Sequence, residues 1–258
     1  MITSVSNEKV KQIIRLQKKA SARREQNCFL VEGRKMLEEL PRERLLQAYA
    51  SGSFAAKPEN EALCRLLNAE TVSDHVMEAM SDTRAPQGIL AVVRRTEVPV
   101  DMVWQTPAPL LLILERIQDP GNLGTILRTA EGAGITGVIL SSDTADIYNP
   151  KVIRSTMGSI YRMPFASADD LPALAGRMRA AGIRTFAAHL DGENRYDQED
   201  YRGPSAFLIG NEGAGLSEAL SSVCDCRIRI PMAGQVESLN AAVAAAILMY
   251  EAGRQRRL

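Results

Sequence analysis

A glycine-rich segment at positions 208–217 has the residue types of a ligand-binding loop. It reads LIGNEGAGLS, with three glycines around Asn211 and Glu212 directly after an apolar run. Glycine lets a backbone approach a ligand closely. Two other segments combine glycine or proline with polar side chains, residues 115–124 (ERIQDPGNLG) and residues 231–240 (PMAGQVESLN). These three loops are the candidate functional residues of the chain.

The elements that must position these loops are predicted from the apolar pattern after residue 110. LLLILE at 110–115 is a continuous apolar strand, typical of a strand buried on both faces of a parallel sheet. The following helix has apolar side chains at the i, i+3, i+4, i+7 spacing of one face, namely Leu123, Ile126, Leu127 and Ala130. This alternation predicts an α/β domain with a mostly parallel sheet. Ligands of such sheets bind beyond the carboxyl ends of the strands, where the three loops lie.

One interpretation of residues 110–133 is the start of a dinucleotide-binding unit, because a strand, a glycine turn and a helix follow one another. Asp143 lies roughly twenty residues further on, where such units carry an acidic residue. However, the turn reads DPGNLGT and lacks the middle glycine of G-x-G-x-x-G, which lets a pyrophosphate lie against the backbone. Pro120 and Asn122 occupy that space instead. The sequence therefore disfavours a nicotinamide or flavin enzyme.

Taken in order, the three loops resemble the motifs of a known family. The first motif is DPGNLG with Arg128 after it, the second is GNEG with GLS, and the third is IPM with SLNAA. They look like the motifs of the SpoU (TrmH-like) RNA ribose 2'-O-methyltransferases, of the SPOUT class. NPKVIRSTMGSIYRMPF at 149–165 is similar to the segment that joins the first two motifs. The resemblance covers residues 110–252. Any one motif alone would be a weak signal, but three motifs in the order and spacing of the family make the resemblance specific.

The resemblance implies a methyltransferase catalytic domain over residues 110–258, with a carboxyl-terminal trefoil knot. Knots are rare among folds, so only the resemblance supports this one. It also implies that S-adenosylmethionine is the cofactor and that a homodimer forms through the catalytic domain. The cofactor would be held largely by main-chain groups, at the positions Gly210, Asn211, Gly213, Ile230, Met232 and Leu239.

The resemblance also implies the catalytic residues. Methylation of a ribose hydroxyl requires that the hydroxyl be oriented and its proton removed. Arg128 is assigned the activation of the hydroxyl, although a guanidinium stays protonated and leaves the proton acceptor open. The other candidate catalytic residues are Asn122, Glu212, Ser238 and Asn240. Simple structural roles compete with a catalytic role at three positions. Arg128 could pair with Glu131 on the helix surface, and Asn122 and Ser238 could be helix N-caps.

Residues 1–95 are predicted to form a smaller α/β domain that binds the RNA substrate. FLVEGRKMLEEL at 29–40 and MSDTRAPQGILAVV at 80–93 are similar to the L30e-like domain that precedes the catalytic domain in many family members. Between the two domains, residues 96–109 (TEVPVDMVWQTPAP) contain three prolines and show no periodic spacing of apolar residues, which predicts a linker.

The first 24 residues carry seven lysines or arginines against one acid, Glu8. Such a patch is a candidate for contacts with RNA phosphates, and its alternative interpretation is a solvated helix face. The residues proposed for RNA binding are Lys18, Lys19, Arg23 and Arg24.

Composition restricts the remaining possibilities. The 258 residues include 45% hydrophobic and 24% charged residues with a formal net charge of +0, as in a globular protein able to bury a core. The four cysteines and two histidines lack the spacing of a metal site, so no metal is predicted. No signal peptide or membrane-length apolar run is visible, and a cytoplasmic location is the simplest expectation.

The expected activity is methylation of a ribose 2'-hydroxyl in RNA, with 23S ribosomal RNA as the expected substrate. Two alternatives stay open, a transfer RNA ribose methyltransferase and a non-catalytic RNA-binding protein of the same fold. The sequence identifies neither the nucleotide nor the proton acceptor.

Overall fold

A computed structural model of the protein describes residues 1–234, 236 and 238–257. The chain folds into two compact units. The first contains Met1–Thr96 and Asp146–Tyr161, and the second contains Glu97–Ala145 and Arg162–Leu258. The first unit is therefore discontinuous in sequence, because residues 146–161 return to it from the middle of the chain.

The elements up to residue 96 alternate between strands and mostly short helices. They are α1 (Glu8–Lys18), α2 (Ala20–Glu25), β1 (Cys28–Glu32), α3 (Arg34–Glu38), a 3-10 turn (Arg42–Arg44), β2 (Leu45–Ser51), α4 (Gly52–Ala55), α5 (Pro58–Leu66), β3 (Glu70–Val72), α6 (Asp74–Met80) and β4 (Ile89–Arg94).

The remaining elements follow a strand–helix alternation. They are a 3-10 turn (Val100–Trp104), β5 (Leu110–Leu114), α7 (Pro120–Ala133), β6 (Gly137–Ser141), α8 (Pro150–Thr156), a 3-10 turn (Ser159–Tyr161), β7 (Phe165–Ala168), α9 (Leu171–Ala180), β8 (Arg184–Ala188), β9 (Asn194–Arg195), a 3-10 turn (Tyr196–Gln198), β10 (Ser205–Ile209), α10 (Glu218–Ser221), β11 (Cys226–Arg229) and α11 (Ala241–Arg256).

The first unit is built on a four-stranded sheet in the order β1-β4-β2-β3. β4 pairs antiparallel with β1 and with β2, and β2 pairs parallel with β3. Helix α1 is amphipathic and buries Val10, Ile13 and Leu16, which join the core of this unit. Burial of these apolar side chains is the main force that holds a short helix to its sheet.

The segment 146–161 is fixed to the first unit largely through Tyr148, which is fully buried. The Tyr148 hydroxyl donates to the Thr96 carbonyl at 2.6 Å and accepts from the Thr96 amide at 2.8 Å. The Tyr148 and Phe29 ring centroids lie 4.6 Å apart, and the Arg95 guanidinium lies over the Tyr148 ring. Tyr148 therefore combines apolar burial with a satisfied hydroxyl, as a buried tyrosine requires.

The second unit contains a seven-stranded sheet in the order β7-β6-β5-β10-β8-β11-β9. Every described pairing in it is parallel, which confirms the predicted parallel sheet. All five residues of both β5 and β10 are buried, as expected for central strands covered on both faces. β5 and β10 are direct neighbours although more than ninety residues separate them, so their carboxyl ends meet at one edge.

The segment predicted to be a linker contains packed residues. Val103 is buried in the core of the second unit, and the Val98 amide donates to the Phe165 carbonyl at 3.2 Å. The packing of this segment was not visible in the sequence, because its 3-10 turn buries a single residue and leaves no helical stripe of apolar side chains. The exact domain boundaries stay a prediction.

Arg23 requires a correction to the predicted phosphate-binding patch. Its side chain is only 3% exposed, whereas Lys18, Lys19 and Arg24 are exposed. Two guanidinium nitrogens of Arg23 donate to Asp146 at 2.8 and 2.6 Å, and the third donates to the Leu16 and Gln17 carbonyls. Arg23 is thus a buried structural cation and is not available to RNA.

We expect Arg23→Gln to lower the free energy of unfolding by about 2–3 kcal/mol, because it leaves Asp146 half-desolvated without its partner. Arg24→Gln, an exposed neighbour of the same charge, should stay within about 0.5 kcal/mol of the unsubstituted protein. Urea denaturation of the full chain measures both variants. Equal effects of the two substitutions would contradict the structural role of Arg23.

Candidate functional site

Two of the three predicted loops, at residues 210–217 and 231–240, line one cavity at the carboxyl edge of the parallel sheet, whereas no residue of the loop at 115–124 is part of its lining. The cavity has a volume of about 400 Å³ and is lined by residues that follow β8, β10 and β11, and by the start of α11. All six residues predicted to contact a cofactor line it, namely Gly210, Asn211, Gly213, Ile230, Met232 and Leu239. Two predicted catalytic residues, Glu212 and Ser238, line it as well.

Ala188, the last residue of β8, and residues 189–191 after it also line the cavity, and they were not predicted from the sequence. Their composition, AHLD, contains no glycine and gives no motif. The rule that ligands bind beyond parallel strands would have found them, since β8 lies between β10 and β11 in the sheet.

The loop after β10 closes on itself through its backbone. The amide of Asn211 donates to the Gly215 carbonyl at 3.0 Å, and the amide of Gly215 donates back at 2.9 Å. A Cβ atom placed on Gly210 would lie 2.1 Å from the backbone of both Gly215 and Leu216. Position 210 therefore accepts only glycine, because no side chain could move aside to make room.

Two side chains anchor this loop to the end of β5. The Asn211 amide group donates to the Arg116 carbonyl at 2.9 Å, while its oxygen accepts from the Gly213 and Ala214 amides. Glu115, which is buried, accepts from the Ser217 amide and hydroxyl, both at 2.6 Å. The side chain of Asn211 thus shapes the loop, so any contact of this residue with a cofactor would come from its main chain.

A hydrogen-bond chain connects all three loops. The Asn240 side-chain amide donates to the Asn122 oxygen at 2.9 Å, and the Asn122 amide donates to Glu212 Oε1 at 3.0 Å. Glu212 also accepts from the backbone amides of Gln118 and Asp119, both at 3.2 Å. Three of the five predicted catalytic residues are therefore in contact, although up to 118 positions separate them.

The hydrogen bonds determine the charge state of Glu212. Burial alone would raise its pKa, but the donors at Asn122 and at the backbone of Gln118 and Asp119 outweigh this and hold the pKa below its ordinary value. Glu212 is therefore ionised at neutral pH and accepts hydrogen bonds only.

The helix-cap alternatives for Asn122 and Ser238 are wrong. Asp119 caps α7, and its side chain accepts from the Asn122 amide at 2.8 Å. Asn240, rather than Ser238, caps α11 through the amides of Ala242 and Val243. Capping therefore does not explain why asparagine stands at position 122 or serine at position 238.

Arg128 lies on α7, nearly two turns beyond Asn122, and the structure does not bring it to Glu212. Its side chain is exposed and makes no hydrogen bond or ion pair with the part of the chain that the structure describes. Glu131, its alternative partner, pairs instead with Arg162. The cation is thus available to an external anion or hydroxyl.

The described residues contain no group of histidine, cysteine, aspartate and glutamate side chains that could hold a metal ion. No helix in the described ranges is long and apolar enough to cross a membrane.

Comparisons with known proteins match both parts of the chain. A family model described as the SpoU rRNA Methylase family matches residues 109–250. A second model, described as an MRM3-like substrate binding domain, matches residues 7–91.

Individual relatives are similar over most of their length. The chain is 34% identical to the 23S rRNA (guanosine(2553)-2'-O)-methyltransferase RlmP of Bacillus subtilis, over 96% of this chain and 97% of that protein. It is 37% identical to the 23S rRNA (uridine(2479)-2'-O)-methyltransferase of Streptomyces viridochromogenes, over 75% and 70%. The crystal structure of an AdoMet-bound rRNA methyltransferase from Sinorhizobium meliloti superimposes with a TM-score of 0.87 at 32% identity, covering 98% of this chain and 97% of that one.

We expect the contribution of Glu212 to stability to depend on pH. A carboxylate with a lowered folded pKa stabilises the fold above its unfolded pKa, here near 4.5, and this stabilisation is lost as the pH falls through the folded pKa. Glu212→Gln should therefore lower the free energy of unfolding at neutral pH, and the difference from the unsubstituted protein should shrink as the pH falls below 4.5 and through the folded pKa of Glu212. Glu193→Gln, at an exposed turn of the same unit, is the control for urea unfolding. A difference that does not change with pH would contradict this account of Glu212.

Proposed function

Because the chain belongs to the SpoU rRNA methylase family, we propose that it methylates a ribose 2'-hydroxyl of ribosomal RNA with S-adenosylmethionine as the methyl donor. The match over residues 109–250 confirms the family predicted from the three motifs. The observation that carries the proposal is the hydrogen-bond chain from Asn240 through Asn122 to Glu212 at the cavity, which joins one residue of each motif.

The cavity fits the proposed cofactor. Its volume of about 400 Å³ lies within the range of small-molecule sites. Apolar side chains at Ile230, Met232 and Leu239 can cover the faces of an adenine ring, and the exposed backbone of the loop after β10 can hydrogen-bond to its edge. When bound, S-adenosylmethionine supplies an electrophilic methyl group.

The residues around the cavity would then orient the acceptor hydroxyl. Glu212 is a weak base because its pKa is lowered, so we assign it the positioning of Asn122 and not proton removal. Arg128 has an uncommitted planar guanidinium that can donate to a ribose oxygen and stabilise the charge that develops on it. Ser238, which lines the cavity, would contact the substrate, whereas the Asn240 side chain, which caps α11 and donates to Asn122, would hold Asn122 in place. The proton acceptor stays open.

We assign binding of the RNA to the first unit, as its match to a substrate-binding domain supports. Lys18, Lys19 and Arg24 are exposed and can contact phosphates, whereas the buried Arg23 is left out. Relatives named for 23S rRNA support that substrate, but the named nucleotides differ, a guanosine in one and a uridine in another. We propose 23S rRNA as substrate, and thus action in the cytoplasm, with transfer RNA as the alternative.

We further propose that the second unit contains the trefoil knot of its family and forms a homodimer. An apolar stripe on α11 supports the dimer, since Val243 and Tyr250 are 48% and 50% exposed and stand two helical turns apart on one face. A partner subunit that covered this stripe would remove it from water.

We expect Gly210→Ala to abolish binding of S-adenosylmethionine, because the added Cβ would overlap backbone atoms at Gly215 and Leu216 and deform the cavity wall. Gly176→Ala is the matched control, since its Cβ would meet nothing within 4 Å on α9. Calorimetric titration of both variants with the cofactor, and circular dichroism for their folding, test this. Unaltered binding by a folded Gly210→Ala variant would remove this loop from the cofactor site.

The catalytic prediction separates the enzyme from a non-catalytic RNA-binding protein of the same fold. Arg128→Ala should leave folding and cofactor binding unchanged, because an exposed helix position tolerates alanine. Methyl transfer to ribosomal RNA that lacks its modifications should fall at least about a hundredfold. Arg128→Lys should not restore it, since an ammonium lacks the planar fork.

Transfer of labelled methyl groups measures the rate, and nuclease mapping identifies the acceptor. Label on a base would contradict the reaction class. An Arg128→Ala variant that keeps more than about a tenth of the rate would make this residue a spectator. No transfer by the unsubstituted protein, with RNA binding intact, would favour the non-catalytic alternative.

A further inference from the structure

Arg116 adopts a backbone conformation that arginine rarely takes. Its φ angle is +55°, in the left-handed region. Of the described non-glycine residues with positive φ, two are asparagines, which tolerate this region, and the others are Met157 and Arg116. Arg116 lies two residues after the end of β5, in the segment between β5 and α7, and Asn122 lies in the first turn of α7. Strain of this kind persists where surrounding structure enforces it, and such positions cluster at functional sites.

The contacts that enforce this conformation use only the main chain of Arg116. Its amide donates to the Ser141 hydroxyl oxygen at 2.8 Å, and its carbonyl accepts from Asn211 at 2.9 Å and from Gln118 at 3.4 Å. Glycine could make all of these contacts without strain. The local fold therefore does not explain why the residue is an arginine.

The side chain of Arg116 is only weakly neutralised. Its Nη2 lies 3.8 Å from Glu115 Oε2, beyond hydrogen-bonding distance, and that carboxylate already accepts two bonds from Ser217 at 2.6 Å. The Nε atom is buried and has no hydrogen-bond partner, while the side chain as a whole is 38% exposed. The buried Nε cannot be reached from solvent, but the exposed part of the guanidinium is not held by a hydrogen bond to Glu115 and can meet a partner from outside.

We infer that Arg116 binds a phosphate group of the RNA backbone beside the methylated ribose, an inference that rests on the proposed function. A guanidinium donates two parallel hydrogen bonds to a phosphate. The segment that holds Arg116 borders the cavity, because Glu212, which lines the cavity, accepts from the Gln118 and Asp119 amides, so a ribose at the cavity would bring a flanking phosphate near this segment. In this role Arg116 positions the RNA backbone, because a phosphate contact fixes register and carries no sequence information. Glycine, which would relieve the strain, has no side chain to make the contact.

Two substitutions of Arg116 separate the effect of its charge from the effect of its strained backbone. Arg116→Gln removes the charge and keeps the strained backbone, whereas Arg116→Gly removes both. Arg202→Gln, on an exposed arginine of the same unit that pairs with Asp200, controls for net charge. The measurements are RNA binding and methyl transfer with unmodified 23S rRNA over a series of salt concentrations, calorimetry with S-adenosylmethionine, and thermal unfolding.

Both Arg116 variants should weaken RNA binding and raise KM for RNA about fivefold, with kcat within about twofold, because one phosphate contact is lost. The slope of log affinity against log salt should become shallower by about 0.7 relative to the control. Cofactor affinity should be unchanged. Arg116→Gly should unfold at the same or a higher temperature than Arg116→Gln, since the strain is relieved.

An RNA affinity and salt slope equal to those of the Arg202→Gln control would overturn the inference, and so would a loss of cofactor binding in both variants, which would make Arg116 structural. The RNA-binding series decides this even if the protein transfers no methyl group. Failure of methyl transfer would count against the proposed function and not against the contact of Arg116 with RNA.

Discussion

The amide side chain of Asn122 is the contact on which the site depends. An amide accepts on one side and donates on the other, so Asn122 can connect the donor Asn240 to the acceptor Glu212. No single carboxylate or ammonium could serve both neighbours. The connection is possible because β5 and β10 are adjacent parallel strands whose loops leave the same edge of the sheet. Topology therefore brings the residues near each other, and hydrogen bonding fixes their geometry.

The same region balances favourable contacts against strain. Glu115 and Glu212 are both carboxylates near the end of β5, and each is satisfied by backbone amides of a neighbouring loop. These bonds close the loop after β10, in which glycine at position 210 permits backbone atoms to touch. The main-chain hydrogen bonds of this region also hold Arg116 at a positive φ angle. The rigid loop geometry is thus achieved with local conformations that are unfavourable in isolation.

Some of this organisation could be predicted from the sequence. The apolar run of β5 indicated a strand buried on both faces of a parallel sheet, and the parallel-sheet rule placed the three loops at one edge. The burial of Arg23 could not be predicted, because its partner Asp146 lies 123 positions away and a helix cation normally faces solvent. Ser238 was considered as a possible cap of α11, but the helix begins two residues later and Asn240 is its cap, because asparagine also suits that role. The strain at Arg116 depends on tertiary contacts that no local pattern records.

The return of residues 146–161 to the first unit affects the synthesis of the chain. A ribosome releases residues in order, so the first 96 residues emerge long before Tyr148 and Asp146. During that interval Arg23 has no counter-ion and the pocket for the Tyr148 ring beside Phe29 is exposed. The nascent first unit should therefore stay incompletely packed until the ribosome has also synthesised the first strands of the second unit. Completion of one unit is then tied to elongation of the other, which favours a single folding event over two successive ones.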